Sequence, residues 1–183
     1  MLLTMVRDRY AKSRPPTQRF CAHHRSSMTP LDALDLRLLE LIQADSRMPQ
    51  SELGERVHLS TAAVNRRLKR MRDEGVIQRY GAVLSPAALG HPLTIVAEVE
   101  TESEQLELLD AMKKSFRDCP QVQQCYYVTG EWDFILVFVV RDMAQYTALT
   151  RQLFFQSNNV KRFRTLVTMD PVKLSLDVPV SGS

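Results

Sequence analysis

Apolar residues recur along this chain in two different rhythms. In the first half they fall three to four apart, and in the second half they alternate. Leu34, Leu38, Leu41 and Ile42 mark one face of a helix. Asp32 suits its N-cap, Asp35 adds a carboxylate near the positive helix end, and the pattern stops near Asp45-Ser46. Leu53 and Val57 mark a short helix over residues 51–57, and His58-Leu59-Ser60 forms a turn into a third helix. There Val64, Leu68 and Met71 fall at i, i+4 and i+7, a single narrow stripe facing a core. Ser60 can cap its free N–H groups, and Gly75 suits the left-handed residue that closes it. Residues 76–84 read as a strand ended by Ser85-Pro86, and Leu89-Gly90-His91-Pro92 closes a linker.

From Leu93 the period shortens to two. Leu93, Ile95, Ala97 and Val99 alternate with Thr94, Val96, Glu98 and Glu100, which predicts a half-buried strand. Residues 104–118 predict a helix with Leu106, Leu109, Met112, Lys113 and Phe116 at helical spacing, followed by a strand over 122–129. The unit then recurs. Residues 134–140 form an apolar run of the kind buried on both faces. Asp142 caps a helix to about Gln156 with Met143, Tyr146, Leu149 and Leu153 inward, and a last strand spans 162–169. Two βαβ units joined by a hairpin give the ferredoxin-like order βαββαβ. The fold class expected is therefore α+β: a helix-turn-helix (winged-helix-like) unit over 29–75 and a hinge over 76–92. A ferredoxin-like unit over 93–170 and a tail over 171–183 follow.

Charge sharpens this division. The net charge of +3 is uneven: residues 1–30 hold six Lys or Arg against one acid, and residues 81–183 hold nine against twelve. Positive potential therefore belongs to the first half, where a nucleic-acid footprint is expected. Residues 1–28 scatter Arg7, Arg9, Lys12, Arg14, Arg19 and Arg25 among Pro15 and Pro16 without helical period. They read as a disordered basic extension, with a DNA-touching arm or a targeting peptide as the other readings. Cys21-Ala22-His23-His24 lacks the second ligand pair that zinc requires. Three cysteines are too few and odd for a disulfide framework and suit a reducing cytosol. No apolar run approaches the ~20 residues that span a bilayer, so no membrane partner is expected.

The third helix carries Arg66, Arg67, Lys69, Arg70 and Arg72 outside its apolar stripe, with no acid before Asp73. Stepping about 100° per residue from Val64 sets Ala62, Arg66 and Lys69 on the far face and Arg67 and Arg72 on the flanks. Helix, short helix, tight turn, helix is the helix-turn-helix order, in which the last helix enters a major groove. Ser60, Thr61, Ala62, Asn65, Arg66, Arg67, Lys69 and Arg70 are the DNA-binding candidates. Arg66 points towards base edges and Arg67, about 60° from the stripe, towards a phosphate backbone. Gly54 falls where the two helices approach closest, which requires a small side chain.

These residues resemble the Lrp/AsnC (leucine-responsive, or feast/famine) transcriptional regulators. The matching positions are Leu31-Asp32, Asp35, Leu38-Leu39, Leu41, Glu52-Leu53-Gly54, Val57, Leu59-Ser60, Val64, Arg66 to Met71, Gly75-Val76-Ile77 and Tyr80. The family usually carries Ala where Gly54 stands, an exchange expected to be harmless, and often an acid where Arg72 stands. The resemblance covers nearly all of residues 31–180. It implies a hinge over 76–84 that pairs with a second subunit, and a homodimer assembling to an octamer.

The hairpin Thr129-Gly130-Glu131-Trp132-Asp133 is the candidate effector loop. A free amino acid needs backbone N–H donors for its carboxylate and an acid for its ammonium. Gly130 offers the first and Asp133 or Glu131 the second, while Thr129 adds a hydroxyl and Trp132 walls a side-chain pocket. From the residues alone this is equally a common β-turn; the resemblance implies the effector loop. With no cation inside the motif, leucine, methionine or phenylalanine are the candidate ligands, and no further cofactor, metal or catalytic residue is expected. Two other readings stand beside a cytoplasmic, nucleoid-associated regulator. One is a tetrapyrrole decarboxylase of the same architecture, although the second half offers only His91 in its linker. The other is a nucleoid-like packing protein without effector control.

Overall fold

Asp32 opens α1 (Ala33–Ala44) through a reciprocal capping box with Asp35. α2 (Gln50–Val57) ends on His58, which takes the left-handed conformation at φ 55°. Ser60 then caps α3 (Thr61–Asp73) by accepting from the Ala63 N–H at 3.3 Å. Gly75, at φ 76°, lets the chain turn back so that the Ile77 N–H reaches the Met71 carbonyl at 3.0 Å. Leu38, Leu41, Ile42, Leu53, Val57, Val64, Leu68 and Met71 form the core of this unit. At about 1.5–3 kcal/mol per buried side chain, that cluster outweighs any single cap, worth about 1 kcal/mol.

The structure is a computed structural model that describes residues 29–156 and 159–180, so readings of residues 1–28, the Cys21–His24 stretch included, lie outside the described residues. The chain divides into two compact units, one up to Val83 together with the tail from Leu174, the other from Leu84 to Lys173. Over residues 174–180 this tail has no regular structure. Gln43 of α1 holds it at Val178, donating to its carbonyl at 2.9 Å and accepting from its N–H at 3.0 Å.

The second unit is built from β1 (Leu93–Thr101), α4 (Leu106–Asp118), β2 (Val122–Tyr127), β3 (Phe134–Val140), α5 (Met143–Thr150) and β4 (Val160–Val167). Its four strands form one antiparallel sheet in the order β2-β3-β1-β4, the split βαβ arrangement expected of βαββαβ. The core lies on one face, where Ile95, Ala97, Val99, Phe134, Leu136, Phe138 and Val140 meet Leu109, Met112, Phe116, Tyr146, Leu153 and Phe154. Phe116 packs edge-on to Phe134 at 5.4 Å between ring centroids, and Phe138 likewise to Tyr146 at 5.4 Å.

Four expectations need correction. Residues 76–84 form no strand: Val76 and Ile77 pack on the helical core, but Tyr80, Val83 and Leu84 are exposed. A strand exists only with a ladder partner, and no described segment of this chain supplies one. β3 is buried on one face, since both helices cover the same side and leave Ile135, Val137 and Val139 half-buried. The helix predicted over 104–118 begins at Leu106, which is itself exposed. The helix predicted to Gln156 passes at Thr150 into a π-helical turn, Arg151–Phe155. The added residue per turn brings Thr150, Leu153 and Phe154 inward together, and Met143 stays exposed.

Gly54 is tighter than the resemblance implied. A Cβ built there would stand 2.5 Å from the Leu59 carbonyl oxygen, too close for alanine without moving backbone. The same glycine's carbonyl accepts from the His58 and Leu59 N–H groups, so the turn is tied down where the methyl would fall.

Candidate nucleic-acid interface and effector loop

Exposure divides α3 cleanly. Ser60, Thr61, Ala62, Asn65, Arg66 and Lys69 lie exposed, and Val64, Leu68 and Met71 are buried. Lys69 meets Asp73 one turn on at 2.7 Å, an exposed pair worth only a few tenths of a kcal/mol. Arg66 and Arg72 are exposed with no protein partner among the described residues. Beside the helix start, Ser51, Gly54, Glu55, His58, Leu59, Ser60 and Thr61 line an open concavity of about 650 Å³.

Arg67 and Arg70 are placed differently from the outward positions expected of them. Arg67 Nη1 donates to Asp32 Oδ2 at 2.7 Å and to Asp35 Oδ1 at 2.8 Å, and Arg70 Nη2 bonds Asp35 Oδ2. Asp35 is fully buried. Burial alone pushes its carboxyl up, but the bonds from Arg67, Arg70 and the Asp32 main chain outweigh that and hold it below the ordinary range. The cluster was not legible in the helix alone, because its acid lies 32 and 35 residues upstream.

The hairpin between β2 and β3 leaves Thr129, Gly130 and Glu131 exposed, with Gly130 at φ 139°. Asp133 is half-buried and already engaged. Its Oδ2 accepts from Thr101 N and Thr101 Oγ1, each at 2.7 Å, and its main chain bonds Val99 and Val128. Trp132 lies under two guanidinium groups, Arg162 at 4.7 Å and Arg164 at 5.2 Å from its ring centroid. The motif therefore has cations over it, supplied by β4 rather than by its own residues. They are matched by acids: Arg162 meets Glu100 and, at 3.0 Å, Glu131, Arg164 meets Glu98, and Lys161 meets Glu100 at 2.8 Å. Among the described residues no three His, Cys, Asp or Glu side chains gather as a metal site, and no helix is long and apolar enough to cross a membrane.

Two family profiles match this chain, a winged helix-turn-helix DNA-binding region over residues 31–78 and the Lrp/AsnC ligand binding domain over residues 94–178. An HTH-type transcriptional regulator of Sinorhizobium fredii is 41% identical over 150 residues, 82% of this chain and 89% of that protein. The chain belongs to the Lrp/AsnC family of transcriptional regulators. The leucine-responsive regulatory protein of Haemophilus influenzae is 30% identical, covering 78% of this chain and 86% of its own. A Neisseria meningitidis transcriptional regulator solved as a complex with L-Met superposes with a TM-score of 0.77 at 27% identity, covering 82% of this chain and 97% of the other. This Lrp/AsnC chain thus pairs a helix-turn-helix unit with a ligand-binding unit.

Sequence reasoning missed Thr101, Arg162 and Arg164 as neighbours of the loop. A signal existed. Glu98 and Glu100 alternate on β1 as Arg164 and Arg162 do on β4, and the sheet register sets each pair opposite.

Proposed function

We propose that this Lrp/AsnC regulator reads double-stranded DNA sequence-specifically through α3, and that a small, mainly apolar amino acid alters its assembly and promoter occupancy. The separation of exposed Ser60, Thr61, Ala62, Asn65, Arg66 and Lys69 from a buried apolar stripe carries the DNA reading. Paired subunits would set two such helices in successive major grooves, about 34 Å apart. Arg67 and Arg70, turned onto Asp35, act behind that face.

The outer face of the sheet supports assembly. Val96, Val137 and Leu166 stand in register on it, flanked by Ile135 and Val139, an apolar patch bordered by the Glu–Arg pairs. We assign this face to a homodimer, with an octamer as the higher assembly. The effector site is the hairpin of Thr129, Gly130, Glu131, Trp132 and Asp133. Its cations are neutralised by their own glutamates, which favours leucine, methionine or phenylalanine over an acidic ligand. The regulator works in the cytoplasm, on the nucleoid.

Trp132 is the only tryptophan, so its emission reports on this loop. Titrating the twenty amino acids at millimolar concentration, while following that emission and the sedimentation profile, tests the effector. A response to an apolar amino acid is expected. Silence in both signals for all twenty would remove the effector and leave an unliganded DNA-binding protein.

A further inference from the structure

Two of the five cations on α3 never reach its exposed face, and the reason is a single buried carboxylate. Asp35 presents one oxygen to Arg67 at 2.8 Å and the other to Arg70, and the second oxygen also accepts from the Asp32 N–H at 3.2 Å. Asp32 closes the cluster by taking Arg67 at 2.7 Å. Both arginine side chains are about seven-tenths covered, and Asp35 is wholly so. The carboxylate cannot swing away, because the capping box fixes its residue in the first turn of α1.

Geometry makes this a clamp rather than a general attraction. Arg67 and Arg70 are three residues apart, so they leave α3 on one side from adjacent turns and converge on one acid. Rolling α3 by one residue swings both guanidinium groups about 100° away, and sliding it by a residue moves them about 1.5 Å. The core alone is less selective, since apolar side chains can repack across a small roll. Buried ion pairs are weak stabilisers but can select one arrangement among several.

We propose that Asp35 is a positioning residue for DNA reading: it withholds Arg67 and Arg70 from phosphates and, through them, sets the roll of α3 that presents Thr61, Ala62, Asn65 and Arg66 to the groove. This rests on α3 being the reader. With Arg66 at the base edges, the charge of the helix left for phosphates is then Lys69 and Arg72. Asp35 touches no DNA, yet it governs how far specific binding exceeds random binding.

The number of phosphates engaged is read from the slope of log K against log salt, about 0.9 for each phosphate neutralised. The full-length protein would be measured against its tightest duplex selected from a random-sequence library and against an unrelated duplex. Arg66→Ala should weaken the selected duplex more than the unrelated one. Arg67→Gln and Arg70→Gln should leave the slope unchanged while cutting the ratio of selected to random affinity about tenfold. Asp35→Asn should lower the same ratio but change the slope as well. It frees Arg70 and leaves Arg67 only the exposed Asp32, steepens the slope by up to about two, tightens random binding and lowers that ratio. Shallower slopes by about one for each arginine variant, or an unchanged slope for a folded Asp35→Asn, overturn the proposal. If Asp35→Asn does not fold, the two arginine slopes decide alone. If Arg66→Ala changes neither affinity nor slope on either duplex, α3 is not the reader and both readings fall.

Discussion

On α3, Arg66 and Arg72 stand exposed without a protein partner among the described residues, and Lys69 has only the exposed Asp73. On β4 each of Lys161, Arg162 and Arg164 ends on Glu98, Glu100 or Glu131. The same residue types thus serve opposite ends. A helix that leaves its cations uncompensated keeps a positive potential available to a polyanion, and that potential acts beyond contact distance. A sheet that cancels its cations strand against strand presents no net field, so its apolar patch can be covered without stranding a charge. Between these extremes lies Asp35, which together with Asp32 cancels two reader-helix cations inside the first unit.

Five substitutions would break or sharpen this contrast. Asp35→Ala leaves the largely covered Arg70 without its acid and Arg67 with Asp32 alone, and should cost about 3 kcal/mol of helix-turn-helix stability, measured by denaturant unfolding. Because its carboxyl is depressed in the folded state, its contribution is full above the ordinary value of 3.8 and is lost as pH falls through the lower folded value. The wild type should therefore weaken in that acid window more steeply than the variant. Arg66→Ala should cost about 2 kcal/mol, mostly on the selected duplex, by fluorescence anisotropy. Equal losses on random DNA would turn Arg66 into a backbone contact.

The smaller effects belong to the second unit. Asp133→Ala removes two charge-assisted bonds to Thr101 and should cost about 1.5 kcal/mol of its stability as well as effector binding. Thr101→Val should reproduce part of the stability loss and keep the ligand response; if it removes both, Asp133 is only a strut. Arg164→Ala should change stability least, since its guanidinium is exposed, yet it should shift Trp132 emission by uncovering the indole.

What could be read from the chain beforehand was what is local. Asp32, Ser60, Gly75 and Asp142 stand at helix ends because capping is settled within three or four residues. The inward face of β1 follows from a period of two. The roll of α3 placed Arg66 outward correctly, but the same arithmetic sent Arg67 towards a phosphate. A helical wheel knows the angle of a side chain and not what α1 holds opposite it. Likewise Gly130 announced a turn, while the guanidinium pair over Trp132 depended on which strand lies next to β1. Residues 76–84 carry strand-forming side chains whose ladder no described segment of this chain completes.

The space at Gly54 has a consequence for how this sequence can change. With 2.5 Å between a would-be methyl and the Leu59 oxygen, substitution at this position runs easily in one direction only. An alanine at position 54 must lift His58-Leu59-Ser60 and, with Ser60, the cap of α3. It would therefore require a second change elsewhere in the turn, so the missing side chain at one helix sets where the next one begins.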